Sequence, residues 1–383
     1  DIVLSGWDIS SKNIYESMKR AQVLDHDLIE KLKSPTESLI PMKAAFDSSY
    51  IAKNQTDRAD NLISGNKQQQ LDQLRNDIRT FKREHQLEFV VVIWTANSER
   101  YSEVHKGLND TSDALLQAIE SNHEQVSPST LYAVASILEG CPYINGSPQN
   151  TFVPGCIQLA EKHNVMICGD DFKSGQTRMK SVLADYLVTC GMKIKTMVTY
   201  NHLGNNDMYQ LTDEVMWKPK SASKSRVIED ITQSNGLLYA EDELPDHVVV
   251  VKYVEFLGDS KRDVSEYTSE AFMNSHYTSI IHNEALDSIL CAPLIIDLAI
   301  LTELFSRVQL RKLEKISEIA ALQSNESPFE SLHPILSVLG FYMKIPLNPP
   351  NQPIVNALNR QRAAIDNLIR ALVGLPPENH ILI

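Results

Sequence analysis

A polar stretch, GDDFKSGQT at 169–177, lies between an apolar run at 165–167 and a helix-like segment that starts near residue 182. Its last four residues suit an anion, because N–H groups at a helix N-terminus point outward and glycine permits close approach. The hydroxyls of Ser174 and Thr177 would add donors. Taken alone the pattern is weak, since Ser or Thr before a helix is more often an N-cap. The stretch predicts either a phosphate site or a capped turn.

Basic residues cluster at two further places in an acidic chain. They are Lys218, Lys220, Lys224 and Arg226 within 217–226, and Lys261 within GDSKR at 258–262. On a helix Lys220 and Lys224 share one face and repel each other unless an anion joins them. A solvated helix face is the ordinary interpretation of such a run. The chemical interpretation is that lysines beside carboxylates transfer protons or stabilise a developing oxyanion.

An alternation of strand-like and helix-like segments must position these residues, which indicates an α/β protein. Strands are predicted at 1–8, 87–95, the start of 142–155 and the segment before residue 170, and helices at 11–33, 67–85 and 129–140. Three polar loops, 95–100, 145–155 and 169–177, follow the carboxyl ends of these strands. Open parallel sheets bind ligands at that edge, so the loops favour a cofactor cleft over ordinary capped turns.

The second half of the chain has a different pattern. The segments 193–200 and 247–256 alternate basic or polar with apolar residues, as in an open sheet with one exposed or interface face. An apolar segment at 288–310 predicts a buried helix, 354–372 predicts an amphipathic helix, and 313–332 is the best linker candidate.

Composition and motifs exclude several classes of function. A formal net charge of -13 argues against a nucleic-acid partner. No apolar run is expected to reach the ~20 residues of a membrane helix, so no membrane partner is predicted. Five scattered cysteines favour reduced thiols in the cytoplasm. The histidines lack metal-ligand spacing, no GxSxG elbow is present, and the identity of any metal stays unknown. Because the chain begins with Asp1, a preceding segment is expected to have been lost.

Taken together, IWTANSERY, INGSPQNTFVPG, GDDFKSGQT, YNHLGNND, SASKS, GDSKR and NALNRQR resemble the myo-inositol-phosphate synthase family, in the same order over nearly the whole chain. The resemblance implies an isomerase of inositol biosynthesis that converts glucose 6-phosphate into inositol 3-phosphate with bound NAD. The sugar is oxidised at C5, enolised, closed by an intramolecular aldol step and reduced again. It implies catalytic roles for Asp171, Asp207, Lys220, Lys224, Lys261 and Arg360. It implies that Ser174, Gly175, Gln176 and Thr177 bind the substrate phosphate, and that the cofactor site consists of Asp8, Thr95, Ala96, Asn97, Asn205, Asn206, Asp259 and Asp287.

The sequence departs from the family pattern at four places. The glycine-rich GWGGNNG turn is absent, so the first part of the NAD-binding domain is expected to be incomplete. Met208 follows LGNND where glycine is usual. Methionine does not readily take a positive φ, and its bulk is expected to lie beside the cofactor. Asn274 and Ser275 replace paired glycines. Arg360 stands where many members have lysine, and arginine is a poor proton donor.

The predicted architecture is a Rossmann-type doubly wound parallel sheet with an inserted α+β catalytic and oligomerisation domain. Residues 1–177 form the first part of the NAD-binding domain, 178–291 the insert, and 292–383 the return to the first domain. The resemblance implies a homotetramer assembled through the sheet of the insert. The alternative function is a catalytically weakened or truncated homologue with a binding or structural role in oligomers. An ordinary NAD dehydrogenase ranks third.

Overall fold

The computed structural model describes residues 2–213, 216, 228–233, 235–241, 243–311 and 328–379. Its strands are β1 (Trp7–Asp8), β2 (Met42–Lys43), β3 (Val92–Trp94), β4 (Tyr143–Asn145), β5 (Ile167–Cys168), β6 (Lys193–Leu203), β7 (Asp246–Tyr253), β8 (Ser260–Glu270), β9 (His276–Leu286), β10 (Gln309–Leu310) and β11 (Glu330–Ser331). Its α-helices are α1 (Ile14–Ala21), α2 (His26–Lys31), α3 (Lys33–Glu37), α4 (Lys67–Glu84), α5 (Ser112–Glu120), α6 (Pro128–Leu138), α7 (Pro154–His163), α8 (Gly175–Thr189), α9 (Asn206–Gln210), α10 (Glu229–Gln233), α11 (Asp287–Ser306) and α12 (Leu358–Leu372).

A parallel sheet of β3, β4 and β5, in that order, forms the centre of the first half of the chain. Its strands are apolar and carry residues buried on both faces, as in a sheet covered by helices on each side. Ile144 of β4 is fully buried, and such a side chain contributes about 1.5–3 kcal/mol to stability. The predicted strand at 87–95 is a strand only over β3, since residues 87–91 are not part of a ladder and Glu88 lies in a bend.

Local sequence explains the helices that cover this sheet. A capping box at Asn66 and Gln69 begins α4, and Leu71, Leu74 and Ile78 form its buried face. Ser127 caps α6 by accepting a hydrogen bond from the backbone N–H of Thr130, and nearly every residue of α6 is buried. The two helices pack in one hydrophobic cluster.

The second sheet has the strand order β7-β6-β8-β9, with β6 and β7 parallel and the other neighbours antiparallel. One face of it leaves Val248, Val264 and Ile280 exposed, which matches the open face predicted from the alternating pattern. In the turn between β8 and β9, Asn274 takes a positive φ, the region that glycine favours, whereas Ser275 is extended with a φ of -69°. The other positive φ of this turn is at Met273.

The C-terminal part of the chain returns to the parallel sheet. Leu298 and Phe305 of α11 pack in one cluster with Ile144, Leu339 and Ile365. Isolated β-bridges hold the C-terminal part against the region that follows β4: Ile167 pairs with Ile335, and Phe172 pairs with Met343. This layer covers the face of the sheet opposite α4 and α6.

The helix predicted at 288–310 forms as α11, but its burial was predicted wrongly. Only part of it packs inward, while Ile296 and Ile300 are half exposed. Over its 20 residues α11 is long and apolar enough, by length and composition, to cross a membrane, so the expectation about apolar run length was also wrong. The predicted boundary after residue 177 falls inside α8, and most of the linker candidate, 312–327, lies outside the described residues.

Candidate active site

A cavity of about 1110 Å³ opens at the carboxyl edge of the parallel sheet. Its walls come from the loop after β3, the loop between β6 and α9, the turn before β8 and the first residues of α11. The eight residues expected at the cofactor site all line it: Asp8, Thr95, Ala96, Asn97, Asn205, Asn206, Asp259 and Asp287. These positions come from both halves of the chain, and only the tertiary fold brings them together.

Hydrogen bonds join the loop after β3 to the loop that precedes α9. The Asp207 carboxylate accepts a bond of 3.0 Å from the backbone N–H of Ser98. Asn206 donates from its side-chain amide to Gln55 at 3.0 Å, and Asn205 caps α9 through the N–H of Met208. The predicted cofactor residues of this loop are therefore held by contacts on both sides.

Two carboxylates lie where β8 and α11 begin. Both oxygens of Asp259 accept bonds from Ser288, from its hydroxyl at 2.7 Å and its backbone N–H at 3.0 Å. Burial raises the pKa of Asp259. Asp287 pairs with Lys261 at 3.5 Å between Nζ and Oδ1, with Lys261 largely buried. Lys261 does not line the cavity itself, but Asp287, its ion-pair partner, does.

A second lysine–aspartate pair lies in the wall of the cavity. The Lys344 Nζ lies 3.0 Å from Oδ1 of Asp171, and both side chains are at most 8% exposed. Backbone bonds align their two segments, because Lys344 N donates to Asp171 O at 2.7 Å and Lys173 N donates to Tyr342 O at 2.7 Å. A buried ammonium beside a carboxylate is suited to moving a proton or stabilising an oxyanion.

The 174–177 loop follows directly from this ladder and enters α8. Ser174 is the N-cap residue and lines the cavity, and its side chain makes no capping bond. Gly175 takes a φ of +46°, which glycine tolerates best. Gln176 donates to the side chain of Asn201, and its buried Oε1 has no partner among the residues that the structure describes. Thr177 is buried in the first turn of α8.

The other predicted site residues have different outcomes. Lys220 and Lys224 lie outside the described residues. Arg360 is exposed on the first turn of α12 and does not line the cavity, so its catalytic role stays a prediction. Met208 lies in α9, is not among the cavity-lining residues, and packs with Leu203 and nearby apolar side chains. Its φ is not positive and its side chain does not line the cavity, so neither the expected backbone strain nor the expected bulk beside the cofactor is seen. The effect of Met208 on NAD affinity stays a prediction.

Sequence reasoning missed two residues of the cavity wall. Lys344 occurs alone in FYMKIPL, and no local spacing marks it. Glu99 lies inside a motif that was recognised, yet it received no role. Its carboxylate accepts bonds from the hydroxyl of Ser129 at 2.6 Å and from the N–H of Ser129 at 3.2 Å, at the start of α6. Burial raises the pKa of Glu99 to about 7.

A family model described as myo-inositol-1-phosphate synthase matches residues 1–370. The chain belongs to this family. Among curated relatives, inositol-3-phosphate synthase from Spirodela polyrhiza is 51% identical over 100% of this chain and 73% of its own length. Inositol-3-phosphate synthase from Drosophila melanogaster is also 51% identical, over 100% of this chain and 66% of its own length.

Solved structures agree with the family assignment. The chain matches inositol-3-phosphate synthase from Caenorhabditis elegans with a TM-score of 0.94 and 47% identity, over 100% of this chain and 72% of that one. A synthase-related protein from Thermotoga maritima shares the fold, with a TM-score of 0.66 at 21% identity. The family resemblance, the Rossmann-type α/β fold and NAD as the cofactor are therefore confirmed.

Proposed function

We propose that this chain is an inositol-3-phosphate synthase, an isomerase that converts glucose 6-phosphate into inositol 3-phosphate with NAD. One observation carries the proposal. A single cavity holds the expected dinucleotide residues, the buried Lys344–Asp171 pair and Ser174 of the phosphate loop. The similarity of the whole chain to curated synthases of that name supports the same function.

The cavity fits a dinucleotide in its size and in its polar groups. Its volume of about 1110 Å³ exceeds that of most single small-molecule pockets. Residues 95–97 and 205–207 both line it, and a hydrogen bond from the backbone N–H of Ser98 to Asp207 joins the two loops. NAD, when bound, supplies the acceptor and then the donor of the hydride. Asn97, Asn205 and Asn206 would hold and orient it.

The chain's own residues supply the charge stabilisation that the sugar chemistry needs. An alkoxide forms when the hydroxyl loses its proton for hydride transfer, and an enolate forms when the resulting ketone enolises. Aldol closure forms another alkoxide, so negative charge appears on substrate oxygen atoms in each step. Lys344 would neutralise such charge, because its ammonium is already held at the cavity wall by Asp171. Lys261 would contribute through its ion pair with Asp287, which lines the cavity. We also propose that Lys220 and Lys224 contact the same sugar phosphate.

The 174–177 loop would bind the phosphate group. It presents the N-terminus of α8, a helix of 15 residues, together with the hydroxyl of Ser174. The amide of Gln176 has a buried oxygen that would accept a bond from a sugar hydroxyl or an ammonium group. A phosphate at this end of α8 would leave the carbon chain of the sugar directed towards Asp171.

The weakened-homologue alternative has lost one of its reasons. It was motivated partly by Met208, whose side chain packs in an apolar cluster rather than in the cavity wall. Nothing in the described site favours a purely structural role.

We also propose a cytoplasmic homotetramer. The exposed apolar face of the second sheet, with Val248, Val264 and Ile280, supports assembly through that sheet. None of the five cysteines forms a disulfide, which suits a reducing compartment. Sedimentation equilibrium measures the stoichiometry, and a monomer at micromolar concentration would count against the tetramer.

Turnover tests the catalytic proposal. The chain is incubated with glucose 6-phosphate and NAD, and the products are identified by phosphorus and proton NMR. Formation of inositol phosphate without accumulation of NADH is expected, because the hydride returns to the intermediate. Asp171→Asn serves as the matched control with an intact cavity shape. Accumulating NADH would indicate an ordinary dehydrogenase, and tight phosphate binding without product would indicate a binding protein.

A further inference from the structure

Lys173 stands in the phosphate motif but does not line the cavity. Its side chain is fully buried, at 0% exposure, and points into the interior below the loop. There the Lys173 Nζ lies 3.2 Å from Oε1 of Gln361 and 3.4 Å from Oδ1 of Asn356. Asn356 and Gln361 belong to the segment that leads into α12 and to the first turn of that helix.

A buried lysine is costly, so its partners indicate what it does. Burial lowers the pKa of Lys173 to about 7, while the nearby carboxylate of Asp230 acts in the opposite direction. An unpaired ammonium in such a place would cost several kcal/mol or lose its proton. The two amide oxygens of Asn356 and Gln361 offset part of this cost. A methionine of similar length would fill the space without any of these requirements.

The hydrogen bonds around Lys173 and Asn356 connect separate parts of the chain. Asn356 donates its backbone N–H to Oδ2 of Asp230 in α10 at 2.6 Å. On the other side, Arg178 Nε donates to the backbone oxygen of Lys173 at 2.9 Å. Its guanidinium carbon lies 4.5 Å from the ring centre of Phe341.

We propose that Lys173 is a positioning residue, whose buried ammonium ties the 174–177 loop to Asn356 and Gln361 and thereby fixes the loop for a phosphate group. The inference rests on the proposed phosphate role of that loop. Lys173 reaches the ligand only through the backbone of Ser174, because its own side chain points away from the cavity. Its loss should therefore weaken phosphate binding more than it slows the chemical steps.

The test uses Lys173→Met, which keeps the chain length and removes the ammonium. Inorganic phosphate and glucose 6-phosphate are titrated by calorimetry, and turnover is measured on the same preparations. We expect the affinity for both ligands to fall about tenfold, as for the loss of one charge-assisted hydrogen bond. KM should rise by a similar factor, with kcat changed about threefold or less.

Two further variants separate positioning from general destabilisation. Lys67→Met removes another buried lysine, which is 7% exposed and donates to the backbone oxygens of His123 and Val126. It should lower stability and leave phosphate affinity unchanged. Gln361→Met keeps Lys173 but removes one of its acceptors, and should weaken phosphate binding in the same direction by a smaller factor. If Lys173→Met does not fold, the phosphate affinity of Gln361→Met decides whether Lys173 positions the loop.

The outcomes distinguish this inference from the proposed function. If the wild-type chain binds phosphate but forms no inositol phosphate, the proposed function fails, and the affinity series still decides the role of Lys173. If folded Lys173→Met binds phosphate within twofold of the wild type, the inference is wrong whatever the turnover. A wild-type chain that binds neither ligand would also overturn it, since no phosphate would be there to position.

Discussion

Replacing Lys344 by methionine removes the buried ammonium that faces the cavity. The structure gives Lys344 and Asp171 a separation of 3.0 Å between Nζ and Oδ1, and both side chains are at most 8% exposed. Methionine has nearly the same length and fills the same space, so the change is mainly electrostatic. We expect Lys344→Met to lose both stability and turnover.

The magnitude follows from the geometry. At 3.0 Å and an effective dielectric constant of about 20, Coulomb attraction between two unit charges is ~5 kcal/mol. Desolvation of both groups opposes this attraction, so the net value of the pair is much smaller. Removing one partner of a buried pair nevertheless costs about 3 kcal/mol, because a charge is left in a poor environment. Loss of a preorganised cation at a developing oxyanion lowers kcat by about 100-fold or more.

The assay is a double-mutant cycle with Lys344→Met, Asp171→Asn and the combined variant. Urea unfolding gives the free energy of unfolding of each protein, and NMR of the product gives kcat. The combined variant should be more stable than the sum of the single losses predicts, by at least about 1 kcal/mol. Lys344→Arg, which keeps the charge, should fold and retain more activity than Lys344→Met.

Two results would refute the reasoning. Additive stability losses, within about 0.5 kcal/mol, would show that Lys344 and Asp171 do not interact in solution. A kcat within about threefold of the wild type for folded Lys344→Met would show that the ammonium takes no part in charge stabilisation.

Three further predictions concern the walls of the cavity. Met208→Gly should lower the free energy of unfolding by about 3 kcal/mol, from the lost apolar packing and a glycine inside α9, with no gain in NAD affinity by fluorescence titration. Gly204→Ala should weaken NAD binding, since its Cβ would lie 2.4 Å from the backbone oxygen of Val254 and force the loop before α9 outward. Glu99→Gln should change the pH dependence of stability: burial raises the pKa of Glu99 from 4.5 to about 7, so the wild type loses stability as pH rises between these values, whereas the variant should not.

Each of these predictions has an outcome that contradicts it, and Gly204→Ala also has a control variant. A higher NAD affinity for Met208→Gly would restore the idea that the side chain crowds the cofactor. Gly236→Ala is the control for Gly204→Ala, because Gly236 does not line the cavity, has no positive φ and has open space where a Cβ would be added. Equal NAD affinities of the Gly204 variant and wild type would contradict the clash. Parallel urea midpoints of Glu99→Gln and wild type from pH 5 to pH 8 would show that the carboxyl titrates normally.

Several parts of the site could be predicted because they depend on residues that are close together in the sequence. The loop at 174–177 combines a small residue, hydroxyls and a following helix, and the structure places it at the N-terminus of α8. The polar loops after β3, β4 and β5 follow parallel strands, whose carboxyl ends share one edge of a sheet. The long α4 and the buried α6 follow from their caps and apolar periodicity.

The sequence by itself determined the α/β class, the family and NAD as the cofactor, because these depend on short motifs and on strand and helix periodicity. Only the tertiary structure decided which lysines face the cavity. Lys344 enters the wall because 342–345 pairs with 170–173, two segments that lie far apart in sequence. Lys173, within the most recognisable motif, points into the interior instead, and Arg360 lies on the exposed side of α12. The direction of a side chain depends on long-range backbone pairing and on helix packing. Neither of these can be predicted from a short stretch of sequence.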